Sequence, residues 1–288
     1  MPRANTVVLT ALAMLAFAGN SLLCRLALKG TTIDAASFTL ARVAAAALVL
    51  WVIVAARHQL VRTVVAQRLP PVQGNWISAL ALFCYAAAFS FAYVRLTAGT
   101  GALLLFGAVQ ATMTGYGLYA GEPMRAQQWI GLSLALAGLV WLLLPGLAAP
   151  PLLSSLLMIA AGIAWGVYSL RGRRAADPAS TTAGNFLRAV PMALALGAVM
   201  QAQRSLDGAG LGYALLSGAI TSGLGYVIWY AVVPRLKAAT AATVQLSVPV
   251  ITAAGGIALL GEALSLRLAL SAAAVLGGIA LVIAGKRA

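Results

Sequence analysis

Apolar residues in this chain occur in long, nearly unbroken runs, unlike the alternation of a half-buried strand or the stripe of an amphipathic helix. A run of about 20 apolar residues can cross the roughly 30 Å hydrocarbon core of a bilayer as an α-helix. Ten such runs are separated by short connections, over residues 5–28, 37–56, 75–93, 98–120, 129–147, 154–170, 182–201, 211–233, 240–261 and 268–285. The pattern therefore predicts an all-α integral membrane protein with ten transmembrane helices.

Composition agrees with a lipid environment and excludes several classes of protein. Of the 288 residues, 62% are hydrophobic and 8% are charged, whereas a soluble domain has about 25% charged residues. Five acidic residues and one histidine, His58, offer little for a metal site, so we expect no metal and no other cofactor. The net charge of +14 does not indicate nucleic acid binding, because the basic residues stand singly or in short groups between apolar runs.

The distribution of Lys and Arg predicts the orientation, because cytoplasmic loops carry the excess of positive charge. Two basic residues, Arg42 and Arg188, lie inside spans, and five lie in connections opposite the N-terminus. The other twelve lie on the side of the N-terminus: Arg3, Arg57, Arg62, Arg68, Arg125, Arg171, Arg173, Arg174, Arg235, Lys237, Lys286 and Arg287. Both termini are therefore expected to be cytoplasmic.

The chain also contains an internal repeat. A constant shift of 140 places residues 95–122 over 235–262 and pairs Arg95-Leu96 with Arg235-Leu236 and Gly121-Glu122 with Gly261-Glu262. We therefore expect two five-helix units, residues 1–148 and 149–288. Because five is odd, the second unit enters the membrane from the opposite face, as in the inverted repeats of many secondary transporters.

The motifs of the second half resemble those of a known transporter family. They are Gly225-Tyr226-Val227-Ile228-Trp229-Tyr230, Pro234-Arg235-Leu236-Lys237, Pro249-Val250, Gly261-Glu262 and Gly277-Gly278, and the first half has Arg95-Leu96 and Gly121-Glu122-Pro123. The chain thus resembles an EamA-type transporter of the drug/metabolite transporter superfamily, and within it the YddG-type exporters of aromatic and other amino acids. The resemblance implies efflux of small metabolites, here amino acids, across a bacterial inner membrane.

Polar and aromatic side chains within the spans are the candidates for the transport path, since such residues gain little from facing lipid. The substrate-binding candidates are Asn20, Tyr85, Phe89, Gln110, Trp165, Tyr168, Trp229 and Gln245. Gln110 and Gln245 are equally explained as interhelical hydrogen-bond partners. Pro249 removes an intrahelical hydrogen bond and is the candidate gate, although a kink without a gating role is also expected there.

Four charged residues within the spans or next to them need an interpretation: Arg42, Arg188, Glu122 and Glu262. Arg42 and Arg188 occupy equivalent places in the two units. One hypothesis is that one of them binds a substrate carboxylate, but the sequence favours snorkelling of both to the interface. Glu122 and Glu262 are interpreted as charges at the ends of helices, near the first turns of spans five and ten.

No span contains Asp, Glu or His, and no P-loop sequence is present, so we expect a facilitator or exchanger that uses alternating access. The expected partners are the bilayer and a small substrate, and a monomer suffices for this scheme. The alternatives are a non-selective channel, an exporter of nucleotide sugars, drugs or other small metabolites, and a membrane-embedded transferase. A transferase would need catalytic side chains that the spans do not provide.

Overall fold

The computed structural model describes residues 3–65, 72–121, 124–146, 149–172, 175–232, 236 and 244–285, and the regular structure in these ranges is entirely helical. The long helices are α1 (Arg3–Gly30), α2 (Ala35–Val65), α3 (Trp76–Tyr93), α4 (Ala98–Tyr119), α5 (Ala126–Leu143), α6 (Leu152–Gly172), α7 (Pro178–Val199), α8 (Gly208–Val232), α9 (Ser247–Leu260) and α10 (Leu266–Gly285). A short 3-10 helix, Gln201–Gln203, follows α7, and the middle of α8, Ser217–Leu224, is π-helical.

Nine of the predicted spans correspond, among the described residues, to helices long and apolar enough to cross a membrane. The predicted ninth span, 240–261, corresponds to the shorter α9, and residues 240–243 lie outside the described ranges. The outer faces are covered by large apolar side chains such as Leu153 and Val199, which are 71% and 81% exposed. Soluble monomers rarely expose such surfaces. The predicted fold class, an all-α membrane protein, is confirmed.

The helix contacts mirror each other between the two halves of the chain. Helix α5 packs against α10, α2 against α7 and α4 against α9, and the contact of α3 with α6 is matched by the contact of α8 with α1. Exchanging each helix for the one five places away reproduces this set of contacts. The α5–α10 contact is close because it uses glycines: a Cβ on Gly278 would lie 2.4 Å from the carbonyl oxygen of Gly131.

The helix ends collect at two ends of the bundle. At the first, the Glu262 end, Glu262 follows α9 and contacts Arg25, near the end of α1, and the backbone of Ala98, at the start of α4. At the second, the Asn75 end, Asn75 precedes α3 and contacts Asn185, near the start of α7. Since α1 runs towards the Glu262 end and α10 runs away from it, both termini of the described chain lie at the Asn75 end.

Candidate substrate site

A cavity lies where helices of both halves meet, namely α1, α3 and α4 with α6, α8 and the segment before α9. Its lining is largely aromatic, hydroxyl-bearing or amide-bearing: Phe17, Asn20, Ser21, Tyr85, Phe89, Leu105, Phe106, Trp165, Thr221, Ser222, Tyr226 and Gln245. The volume open to water is only about 20 Å³, which is enough for one water molecule. The cavity is thus narrow in this conformation, and a molecule as large as an amino acid requires its walls to separate.

Asn20, a candidate from the sequence, is the hydrogen-bonding centre of the cavity. Its amide donates to Tyr85 Oη at 3.2 Å, and its Oδ1 accepts from Ser217 Oγ at 2.7 Å and from Thr221 Oγ1 at 3.3 Å. Buried polar atoms need such partners where water is excluded. Asn20 therefore ties α1 to α3 and to the π-helical segment of α8.

Aromatic rings form one wall of the cavity. The ring centroid of Trp165 lies 4.9 Å from that of Tyr85 and 5.2 Å from that of Tyr226, and Tyr85 lies 5.4 Å from Phe89. Tilted pairs at these distances attract each other beyond the effect of burial alone. Such a wall offers ring faces to an apolar side chain or to a cation.

Arg42, on α2, lies against this wall and not at an interface with water. The residue is 2% exposed, and its guanidinium carbon lies 5.0 Å from the ring centroid of Phe89 and 5.6 Å from that of Tyr85. Its Nη1 has no hydrogen-bond acceptor among the described residues. The snorkelling favoured by the sequence is therefore wrong for Arg42, because the rings of α3 cover the guanidinium.

Arg188, at the equivalent place in the second unit, is held by hydrogen bonds to the backbone. It is half-buried, and its Nη1 donates to the carbonyl of Gly184 at 2.9 Å and to that of Gln73 at 3.2 Å. Hydrogen bonds to carbonyls of α7 and of the segment before α3 fix the side chain at the Asn75 end. The two arginines of the repeat thus differ in environment.

Gln245 and Pro249 lie around a break in the ninth span. Gln245 is helical and lines the cavity, a turn follows at Leu246, and α9 begins at Ser247. Pro249 has no N–H for the carbonyl four residues earlier, which is that of Gln245. The expected interruption is present, and in the first half α4 runs without interruption through Val109, the counterpart of Pro249.

Three candidates lie away from the cavity lining. Gln110 lines a separate small cavity between α4, α5 and α10. Tyr168 packs its ring 5.5 Å from that of Trp165 but lines a polar cavity at the Asn75 end. Trp229 is not among the lining residues and contacts the lining residue Phe17, with the two ring centroids 5.9 Å apart.

The sequence places Tyr226 on the same polar face of span eight as Trp229 but does not single it out for substrate binding, and it does not predict the π-helical segment of α8. Tyr226 is 4% exposed, and its ring contacts Phe17, Trp165 and Phe186. Its position one turn before Trp229 on the polar face of span eight was an available signal. Nothing in the sequence pattern distinguishes a π-helical segment from an α-helix, although such segments are frequent at functional sites.

A buried ion pair links helices at the Glu262 end. Arg25 Nε donates to Glu262 Oε1 at 3.1 Å, and Glu262 Oε2 accepts from the backbone N–H of Ala98 at 2.8 Å. Arg25 Nη1 also donates to the carbonyls of Tyr93 and Val94. Glu262 therefore joins α1 and α4 beyond α9. It lies at a helix end, as expected, but its carboxylate contacts the first turn of α4 and the end of α1, and α10 begins only at Leu266. Glu122 lies outside the described residues.

Polar contacts link helices at the Asn75 end in a different way. Arg171 donates to Ser78 Oγ at 3.0 Å and to Asn75 Oδ1 at 3.2 Å, and the backbone N–H of Asn75 donates to Asn185 Oδ1 at 3.0 Å. A polar cavity with a volume of about 30 Å³ open to water lies among these residues. Within the described ranges, no group of three His, Cys, Asp or Glu side chains is placed to hold a metal ion.

Comparisons with known proteins agree with this architecture. Residues 152–284 match the EamA-like transporter family. An uncharacterized protein of Pseudomonas aeruginosa is 56% identical over 286 residues, which cover 99% of this chain and 97% of that protein. A solved crystal structure of a protein superposes with a TM-score of 0.68 at 20% identity and covers 100% of both chains, which supports the fold. The second half of the chain thus matches the EamA-like transporter family, and the chain is a multi-pass membrane protein.

Proposed function

We propose that the protein exports amino acids with aromatic and other neutral side chains through the cavity between its two halves. The observation that carries the proposal is the lining of that cavity. Ring faces of Tyr85, Trp165 and Tyr226 suit an apolar side chain, while Asn20 and Gln245 place amide groups in the same space. Ligand sites are generally apolar with a few fixed polar groups.

The mechanism we propose is alternating access between two inverted units, residues 1–148 and 149–288. Helices at both ends of the bundle are linked by contacts that can break, the ion pair at the Glu262 end and the hydrogen bonds at the Asn75 end. The mirrored helix contacts support an exchange of conformation between the halves. We place the protein in a bacterial inner membrane with the Asn75 end and both termini on the cytoplasmic side.

We further propose facilitated export or exchange without coupling to protons. The described acidic residues, Asp34, Asp177, Asp207 and Glu262, all lie at ends of the bundle, whereas intramembrane proton relays use such residues within spans. Concentrative uptake into vesicles driven by a pH gradient at zero membrane potential would contradict this part of the proposal.

Counterflow in proteoliposomes tests the transport itself. Vesicles loaded in turn with each of the twenty unlabelled amino acids are given a trace of the labelled form, and the internal label is recovered and analysed chemically. Saturable accumulation of unchanged aromatic or neutral amino acids is the expected result. Flux without saturation would indicate a channel, a modified label would indicate a transferase, and no counterflow with any amino acid would redirect the assignment to other small metabolites.

A further inference from the structure

Arg42 holds a positive charge where nothing in the described protein neutralises it. Arginine remains protonated in proteins, and burying a charge without a partner is unfavourable. The ring faces of Tyr85 and Phe89 compensate part of this penalty. Leu or Met would fill the same place on α2 without the penalty of a buried charge, so the stability of the fold does not explain why the residue is an arginine.

Each described carboxylate is engaged elsewhere. Asp34 and Asp207 accept hydrogen bonds from backbone N–H groups at the starts of α2 and α8, while Asp177 and Glu262 form ion pairs with other arginines. None of these residues is a partner of Arg42. Within the described residues the guanidinium therefore has no counter-charge, which a bound anion can supply.

The position of Arg42 connects it to the substrate cavity. Tyr85 and Phe89 line the cavity with one face of α3 and also lie on the guanidinium. Arg42 itself is not among the lining residues, so contact between a substrate and the guanidinium requires a change in the side-chain torsions of these rings or a small rotation of α3. Such a movement is also what the narrow cavity requires to admit a molecule of amino-acid size.

The charge of the site defines the anion. Arginine binds carboxylates through two parallel hydrogen bonds. A phosphate ester carries a charge of about −1.5 to −2 at neutral pH and would leave excess negative charge beside a single buried guanidinium. One guanidinium therefore matches a carboxylate.

The site lacks a comparable group for an ammonium. Asn20 Oδ1 already accepts from Ser217 and Thr221, and no described carboxylate lies among the lining residues. The other lining groups, namely the ring faces of Trp165 and Tyr226, the hydroxyls of Ser21 and Ser222 and the amide of Gln245, are neutral, so none of them neutralises an ammonium as a guanidinium neutralises a carboxylate.

We propose that Arg42 binds the carboxylate of the transported molecule, so that the site requires a carboxylate and does not require an amino group. This inference rests on the proposed function and names the chemical group that the cavity selects. The acid that results from removal of the amino group of a substrate should bind nearly as well as the substrate itself. The corresponding amine should not compete.

Binding by the purified protein in detergent tests the inference without interference from analogues that cross bilayers unaided. Labelled L-phenylalanine is displaced with 3-phenylpropionate, which keeps the carboxylate, and with phenethylamine, which keeps the ammonium. We expect 3-phenylpropionate to compete within about threefold of L-phenylalanine and phenethylamine to be at least about tenfold weaker, since a hydrogen bond to a charged group accounts for a factor of this size. Equal or better competition by the amine would overturn the inference.

Variants locate the effect at Arg42. Arg42→Gln should weaken binding of L-phenylalanine and 3-phenylpropionate by at least about tenfold, and Arg42→Lys should recover part of it. Arg188→Gln is the matched control, because it removes the same charge from the equivalent place, and it should leave both affinities unchanged. Unchanged affinities in a folded Arg42→Gln protein would also overturn the inference, and the wild-type competition decides if this variant does not fold.

The two proposals fail in different ways. If the wild-type protein binds and transports amino acids but ranks the amine with the acid, export stands and the carboxylate site falls. The second case is that no amino acid is transported or bound. If 3-phenylpropionate then stabilises the wild-type protein against thermal unfolding and phenethylamine does not, the carboxylate site is supported and the amino-acid substrate is refuted. Stabilisation by neither analogue would overturn the carboxylate site as well.

Discussion

Replacing Glu262 by Gln should open the bundle at the Glu262 end. The carboxylate of Glu262 holds Arg25 of α1 through one oxygen and the backbone N–H of Ala98 through the other. The Gln side chain has nearly the same shape and can still accept from Ala98, but it has no charge for Arg25. The variant therefore weakens the contact between α1 and the segment after α9 without leaving an empty space.

The size of the effect follows from the buried ion pair. Both side chains are less than a tenth exposed, at 9% and 6%, so solvent screens the pair little. A hydrogen bond to a charged group contributes about 1.5–3 kcal/mol, and the lower value applies because Arg25 retains the carbonyls of Tyr93 and Val94. A change of about 1.4 kcal/mol is a factor of ten in a population. We expect the conformation open at this end to be about tenfold more populated.

Cys24 reports this opening because it precedes Arg25 on α1 and is 0% exposed. The assay is the rate of labelling by a polar maleimide in detergent, in a Cys84→Ser background that removes the exposed thiol. Labelling should be about ten times faster with Glu262→Gln. Asp177→Asn is the matched control, since it removes the more exposed ion pair at the opposite end. A labelling rate within twofold of the parent, in a monodisperse and helical protein, would refute the role of Glu262 as a closure.

Three further predictions concern packing, the aromatic wall and pH. Gly278→Ala should lower the melting temperature, because its Cβ would lie 2.4 Å from a carbonyl oxygen of α5 and overpacking costs about 1–3 kcal/mol; Gly277→Ala, with no atom within 4 Å, should not. Trp165→Ala should weaken L-phenylalanine binding by about tenfold, because the ring face against which the substrate packs is lost. The control is Trp129→Ala: Trp129 is 50% exposed on the outer surface, so its loss should leave binding unchanged. Equal effects of the two substitutions would contradict the assignment of the aromatic wall. Burial raises the pKa of Asp34, but hydrogen bonds from the start of α2 and from the turn before α8 outweigh burial, and the pKa is lowered. The stability that the ionised Asp34 contributes is therefore complete above the unfolded pKa of about 3.9 and is lost as the pH falls through the folded pKa. Asp34→Asn should thus reduce the dependence of thermal unfolding on acid pH.

The helices could be predicted because lipid imposes a strong constraint on sequence. Every residue that faces hydrocarbon must be apolar over about 20 positions, and this signal places nine described helices near their predicted bounds. The bounds are weakest where a helix continues beyond the bilayer. Helix α2 extends to Val65, well past the predicted end at residue 56, because nothing in a hydropathy pattern marks the end of a helix that continues into water.

The site was only partly predictable because membership of a helix face does not identify the neighbouring helix. Asn20, Tyr85, Phe89, Trp165 and Gln245 all reach the cavity. Gln110, in the second half of α4, instead lines another cavity, together with residues of α5 and α10. Helix periodicity gives the angle of a side chain around its own axis, whereas the partner at that angle depends on the packing of the whole bundle.

The repeat predicts which positions correspond but not which of them keep the same role. Arg42 and Arg188 occupy matching places, yet Arg188 donates to two carbonyls while Arg42 lies on two rings without an acceptor for Nη1. Likewise, Pro249 follows a break in its span, whereas Val109 continues an unbroken helix. Mirrored backbones with different side chains let one unit supply a fixed contact where the other supplies the proposed binding group. A transporter that handles an asymmetric molecule needs such a difference, because a site symmetric about the axis between the halves could not distinguish the charged end of its substrate from the apolar end.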